Sequence, residues 1–209
     1  MTTNKIIDYM NELYPNVGCE LFYTKPYELV IAVMLSAQTT DKSVNQVTAV
    51  LFSKYYSLES LANAELKDVE KIIRNLGLYK NKAPRVIGIA QKLISDFNGE
   101  VPQNKEQLMT LPGVGNKTAG VILAEIFKIP EFPVDTHVSR ISKRLKLASE
   151  KDTPIEVEKK LKKTFEKQDW IRLHHQFIHF GRYFCFARNP QCKNCKICDI
   201  CKENTAKTK

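Results

Sequence analysis

Apolar residues recur every three or four positions along most of this chain, and strict alternation is scarce, which predicts helices and few strands. Pro26 opens a predicted helix with Leu29, Ala32, Val33 and Ser36 on one face. Asp41 is placed to cap a second, with Val44, Val47, Thr48 and Leu51 at helical spacing. Leu66, Val69, Ile73 and Leu76 form a further stripe stopped by Gly77, and Ala83, Ile87, Ala90 and Ile94 form the next, ending near Asn98-Gly99. Asn104 with Gln107 resembles a capping box. Thr153-Pro154-Ile155-Glu156 is a stronger start, with a capping threonine, proline at the first helical position and glutamate at the third. Trp170 to Cys185 reads as the final long helix. About ten helices joined by short loops make an all-α fold. No Ser/Gly linker, low-complexity segment or repeat marks a boundary, so any division into domains must come from packing.

One interruption of the helical pattern carries chemistry. Leu111-Pro112-Gly113-Val114-Gly115-Asn116-Lys117-Thr118-Ala119 reads as a helix end, a hairpin and a new helix start. Pro112 cannot continue a helix, and Gly113 and Gly115 permit the positive φ a two-glycine turn needs. Ala119, Ile122, Leu123 and Ile126 then form an amphipathic stripe. Lys117 falls in the first turn, at the positive end of the helix dipole, which disfavours an ammonium. A neutral amine made available in this way is a candidate nucleophile; a solvated surface lysine is the alternative. Eighteen residues downstream, Val134-Asp135-Thr136-His137 offers a carboxylate, which a helix cap would also explain.

Charge sharpens the picture. With 209 residues, 32 Lys and Arg stand against 23 Asp and Glu, a net charge of +9, which favours a polyanionic partner, nucleic acid first. Met1-Thr2-Thr3-Asn4-Lys5 does not resemble a signal peptide, and the apolar run Leu29 to Leu35 is too short to span a bilayer. A soluble, cytoplasmic protein is expected. Of six cysteines, Cys19 lies near the start, whereas Cys185, Cys192, Cys195, Cys198 and Cys201 crowd into the last 25 residues. In a cytoplasmic chain such a cluster argues for metal over disulfides. Cys192, Cys195, Cys198 and Cys201 form one candidate set, with ferredoxin-like spacing. Cys185, Cys192, Cys195 and Cys201 form another, and four thiolates also suit zinc. From Arg182 onward seven basic residues (Arg182, Arg188, Lys193, Lys196, Lys202, Lys207 and Lys209) face only Asp199 and Glu203, a surplus suited to a phosphate backbone.

Taken together these motifs resemble the endonuclease III family of DNA repair glycosylases, within the helix-hairpin-helix superfamily. The resemblance runs through Ser36-Ala37-Gln38-Thr39-Thr40-Asp41, Gly77-Leu78-Tyr79, Leu111 to Lys117, Val134 to His137 and His179-Phe180-Gly181-Arg182, and ends in the x₆-x₂-x₅ cysteine spacing. It implies a two-domain α fold: residues 22–131 form a central domain with the hairpin, and 1–21 join 132–209 in a discontinuous cluster domain. DNA would bind across the cleft, with Lys117 and Asp135 on opposite lips. The resemblance selects Cys185, Cys192, Cys195 and Cys201 as ligands of a 4Fe–4S cluster and leaves Cys198 as a departure. Asn116 is a second departure, standing where many relatives carry a basic residue.

The implied activity is bifunctional, on double-stranded DNA with damaged pyrimidines or abasic sites, by a monomer associated with the nucleoid. Lys117 would attack the sugar C1′ of a flipped nucleotide, displace the base and form a Schiff base. β-Elimination would then cut on the 3′ side. Asp135 would stabilise the cationic sugar-like transition state and help deprotonate Lys117. Backbone N–H groups of Gly113 and Gly115 would hold a phosphate, and hairpin carbonyls a monovalent cation. Gln38 and Leu78 would fill the gap left by the flipped base, a helix cap and a core residue being their plain alternatives. His137 and Arg182 would support the DNA-facing cleft, while His174, His175 and His179 read as core or phosphate-facing. A monofunctional adenine glycosylase usually lacks the hairpin lysine and carries a further C-terminal domain. A purely DNA-binding or redox module would not need Lys117 and Asp135 together.

Overall fold

The computed structural model describes residues 2–205, so Lys207 and Lys209 of the basic tail lie outside the described residues. Among the described residues the regular structure is helical throughout, without strands, and no helix is long and apolar enough to cross a membrane. The chain divides into two compact units, Glu20–Ile129 and the joined segments Met1–Cys19 and Pro130–Lys209.

The first unit holds α2 (Pro26–Leu35), α3 (Asp41–Lys54), α4 (Leu58–Ala62), α5 (Leu66–Ile72), α6 (Tyr79–Phe97), α7 (Lys105–Leu108) and α8 (Asn116–Phe127). Helix α2 is its centre. Every residue from Tyr27 to Leu35 is buried, so this helix has no solvent face, unlike the one-sided stripe expected from the sequence. It packs against α8, which is also buried on most sides. Helix α6 packs on α4 and α5 through Ala83, Val86, Ala90 and Leu93. The stripe expected through Ile87 and Ile94 is rotated from this one, and Ile94 is exposed. Helix α5 ends at Ile72, and Ile73 and Leu76 reach the core from the turns that follow. The cap of α3 is Thr40 rather than Asp41: its hydroxyl accepts from the Ser43 amide at 3.3 Å. Asn104 caps α7, accepting from the Gln107 amide at 3.0 Å, which is one half of the capping box expected from the sequence.

The second unit combines α1 (Thr2–Leu13) with α9 (Thr136–Arg144), α10 (Pro154–Thr164), α11 (Trp170–Tyr183) and α12 (Lys202–Thr205). The Thr153 capping box of α10 is formed in both directions. Phe132, Phe165 and Phe177 pack mutually, and Ile6, Met10, Val138 and Phe180 extend this core under α1, α9 and α11. Each such buried side chain contributes about 1.5–3 kcal/mol. His174 is buried and pairs through Nδ1 with the Pro133 carbonyl at 2.8 Å; His175 is buried beside it, and His179 is half-buried. Helix α11 stops at Tyr183, two residues short of the expected Cys185, because the Cys185 amide folds back onto the Phe180 carbonyl.

Candidate active site and cysteine cluster

The hairpin is a short turn anchored by burial. Leu111 and Val114 point into the core, and the Val114 amide donates to the Leu111 carbonyl at 3.1 Å. Gly113 has φ of +80°, and a Cβ there would lie 2.9 Å from Arg85 Cδ and 3.1 Å from Met34 Cγ. Glycine is required at this position by both conformation and space. Gly115 departs from the expected two-glycine turn. Its φ of −103° is extended backbone, and nothing lies within 4 Å of a Cβ built on it. It caps α8 without a side chain, leaving the helix start open, where the first amides have no intrahelical acceptor. Lys117, half-buried, is the second residue of α8 and stands at this positive helix end.

Asp135 is the N-cap of α9, and its Oδ1 accepts from the Val138 amide at 2.8 Å. The cap role is therefore real, and the carboxylate stays half-buried rather than enclosed. It lines an open depression with Thr136, Ser139, Arg140 and Lys143. His137, in the first turn of α9, has its pKa pushed down by burial, which Arg140 and Arg182 reinforce and Asp135 opposes. Its ring is a neutral hydrogen-bonding group near pH 7. A Cβ on Gly181 would meet His137 Cβ at 2.9 Å, so the glycine of His179-Phe180-Gly181-Arg182 is what lets α11 approach α9. Arg182 follows it, half-buried.

Gln38 and Leu78 share an uncommon state. Both are exposed and both adopt left-handed backbone, with φ of 56° and 61°, a conformation that costs a non-glycine residue roughly 1–2 kcal/mol. Gln38 lies in the turn after α2 and is not a helix cap there; Leu78 precedes α6 and is 57% exposed, so it is not a core residue. An exposed leucine held in this conformation contributes little to folding.

Cys185, Cys192, Cys195, Cys198 and Cys201 line one cavity with Ile197 at its apolar wall. The chain reaches it through successive tight turns, in which the amides of Cys195, Cys198 and Cys201 donate to the carbonyls of Cys192, Cys195 and Cys198. Burial pushes the Cys195 thiol up to about 11 and also raises Cys185. Such thiols become thiolates when a metal supplies the compensating charge.

Arg144, missed by sequence reasoning, holds this loop. It is 8% exposed; Nη1 donates to Cys185 Sγ at 3.2 Å and to the Phe186 carbonyl at 2.7 Å, and Nη2 to the Ala187 carbonyl at 3.1 Å. Arg140, one turn earlier, donates to the Gly181 carbonyl at 2.7 Å and the Cys185 carbonyl at 3.2 Å. The only signal in the sequence is two arginines four residues apart on the helix that follows Asp135.

Comparison with known proteins gives these features relatives. Residues 31–167 match the model of the HhH-GPD superfamily of base excision DNA repair proteins. The chain is 43% identical over 203 residues to endonuclease III of Bacillus subtilis, covering 97% of this chain and 93% of that protein. It is 39% identical over 198 residues to endonuclease III of Escherichia coli, covering 95% and 93%. The structure is similar to that of a trapped endonuclease III–DNA covalent intermediate in an estranged-adenine complex, with a TM-score of 0.94 and 43% identity over all of both chains. A thermostable thymine-DNA glycosylase shares the fold at a TM-score of 0.84 and 21% identity, over 98% of this chain and 95% of that one.

Proposed function

As the chain belongs to the endonuclease III family of helix-hairpin-helix base excision DNA repair proteins and is a DNA glycosylase and abasic-site lyase, we propose that it removes oxidised pyrimidines from double-stranded DNA and cuts 3′ to the resulting abasic site by β-elimination. The observation that carries this reading is Lys117, half-buried at the amino end of α8 directly after the hairpin. The target nucleotide leaves the helix stack, since C1′ is otherwise out of reach. The Lys117 amine attacks C1′ and loses a proton while the base departs with the glycosidic bond electrons; the C1′–O4′ bond then opens toward O4′ to give the Schiff base, from which a C2′ proton and the 3′ phosphate are lost. Asp135 stabilises the cationic sugar in the transition state. The trapped covalent DNA intermediate of the similar endonuclease III supports this chemistry.

The remaining site residues serve DNA binding. The open amides at Gly113 and Gly115 hold a phosphate without sequence preference, while Gln38 and Leu78 enter the gap left by the flipped nucleotide. His137 and Arg182 support the DNA-facing side of the second unit. Cys185, Cys192, Cys195 and Cys201 would hold a 4Fe–4S cluster, which fits the partly buried thiols lining one cavity. When bound, that cluster supplies rigidity to the basic loop. The protein works on the nucleoid of the cytoplasm.

The test is product analysis on a duplex with one oxidised pyrimidine. We expect free base together with strands ending in a 3′ unsaturated aldehyde, with affinity falling linearly in log salt. Release of base with an intact strand would reduce the activity to a monofunctional glycosylase.

A further inference from the structure

Lys82 is a buried cation held by neutral oxygens. It lies in the first turns of α6, is 2% exposed, and its Nζ donates to the Ala37 carbonyl and to Thr39 Oγ1, each at 2.9 Å. These two acceptors flank Gln38. The same residue's backbone amide donates to the Leu78 carbonyl at 3.0 Å, closing the first turn of α6 on the other left-handed residue. One lysine thus touches both neighbours of Gln38 and the carbonyl of Leu78.

A purely structural role explains this placement poorly. Burying an ammonium opposite neutral acceptors is costly, and an apolar side chain would pack among Ala83, Val86 and the other buried positions of α6 without that cost. Burial indeed lowers the Lys82 pKa. Part of the compensation comes from the Ala37 carbonyl, in the turn after α2, and from the Thr39 hydroxyl. What the arrangement achieves is a fixed relation between two turns that are strained, exposed and distant in sequence.

We propose that Lys82 is a positioning residue that sets Gln38 and Leu78 in register as one wedge, and so governs how the enzyme holds open the strand opposite the damaged nucleotide. This rests on the reading of Gln38 and Leu78 as the residues that fill the gap.

The experiment measures single-turnover excision by Lys82→Met on two substrates. One is a duplex with a paired damaged pyrimidine, and the other carries the same lesion opposite an abasic position, where no partner base must be held apart. We expect a loss of about tenfold or more on the paired duplex and of less than about threefold on the second, since small misplacements of positioning groups act strongly only where the group is used. Lys82→Met combined with Gln38→Ala should be no slower than roughly twice Gln38→Ala alone, because coupled residues are not additive. Equal losses on both substrates, wild-type rates, or additive effects in the double variant would each overturn the proposal. Should Lys82→Met fail to fold, Thr39→Val removes one acceptor, keeps the lysine, and carries the same two-substrate comparison. If Gln38→Ala and Leu78→Ala alone excise the paired lesion at wild-type rates, the gap-filling reading itself fails, and the proposal with it. A loss in those variants beside normal Lys82→Met rates sinks the Lys82 inference only.

Discussion

In the hairpin, Leu111 and Val114 turn into the core and the backbone between them makes its bend around Gly113. In the cysteine loop, the chain from Cys185 to Cys201 buries few apolar side chains, chiefly Ile197. It is tied instead by Arg144 and Arg140, by the Tyr9 hydroxyl on the Asn194 carbonyl, and by ion pairs of Lys5 with Asp199 and Glu12 with Lys196. The difference is one of energetics. Ordering a residue costs about 1–2 kcal/mol of backbone entropy, which a short turn offsets by burial. A longer loop with exposed ion pairs does not, since each exposed pair contributes at most about 1 kcal/mol. The loop therefore depends on its arginine clamp and on the thiolate-bound centre proposed for it, whereas the hairpin keeps its shape unaided.

That contrast can be broken at either side. Lys117→Ala should abolish base release and strand cleavage while leaving DNA binding and the brown chromophore intact, because it touches hairpin chemistry alone; gel assays and an absorbance scan check this. Cys201→Ser should do the reverse, giving colourless or poorly soluble protein, while Cys198→Ser keeps absorbance near ~400 nm. Bleaching by Cys198→Ser but not Cys201→Ser would favour the ferredoxin-like set, and stoichiometric zinc without iron would remove the cluster. Asp135→Asn should slow glycosylase turnover by ~100-fold or more at unchanged melting temperature, because asparagine caps a helix about as well as aspartate. Turnover within about threefold of wild type would leave Asp135 as a cap only. Gly113→Ala should destabilise by about 1–3 kcal/mol in denaturant titrations, whereas Gly115→Ala, with open space and extended backbone, should cost only about 0.5–1 kcal/mol, the difference between glycine and alanine as a helix cap.

What the sequence made legible was local. Thr153-Pro154-Ile155-Glu156 and Asn104-x₂-Gln107 specify their own caps, since the bonding atoms lie within one turn. The burial of α2 on every side was not legible, because periodicity reports contrast between faces and this helix has none. The stripe of α6 was misplaced for a related reason: Ile87 and Ile94 are as apolar as Val86 and Leu93, and only the positions of α4 and α5 decide which face is covered. In the site, Lys117 stood out through the glycines and proline before it. Gly115 was misread because glycine signals permission for positive φ and not its use. Arg144 and Lys82 stayed hidden, as both act on carbonyls more than forty residues away in sequence.

The central claim is that Lys117 forms the covalent bond to the sugar. Borohydride reduction of the protein mixed with abasic duplex DNA, followed by peptide mapping of the adduct, tests it directly. The account predicts a trapped complex with the modification on Lys117 and none in Lys117→Ala. An adduct of normal yield in that variant, or one mapped to another lysine, would contradict it.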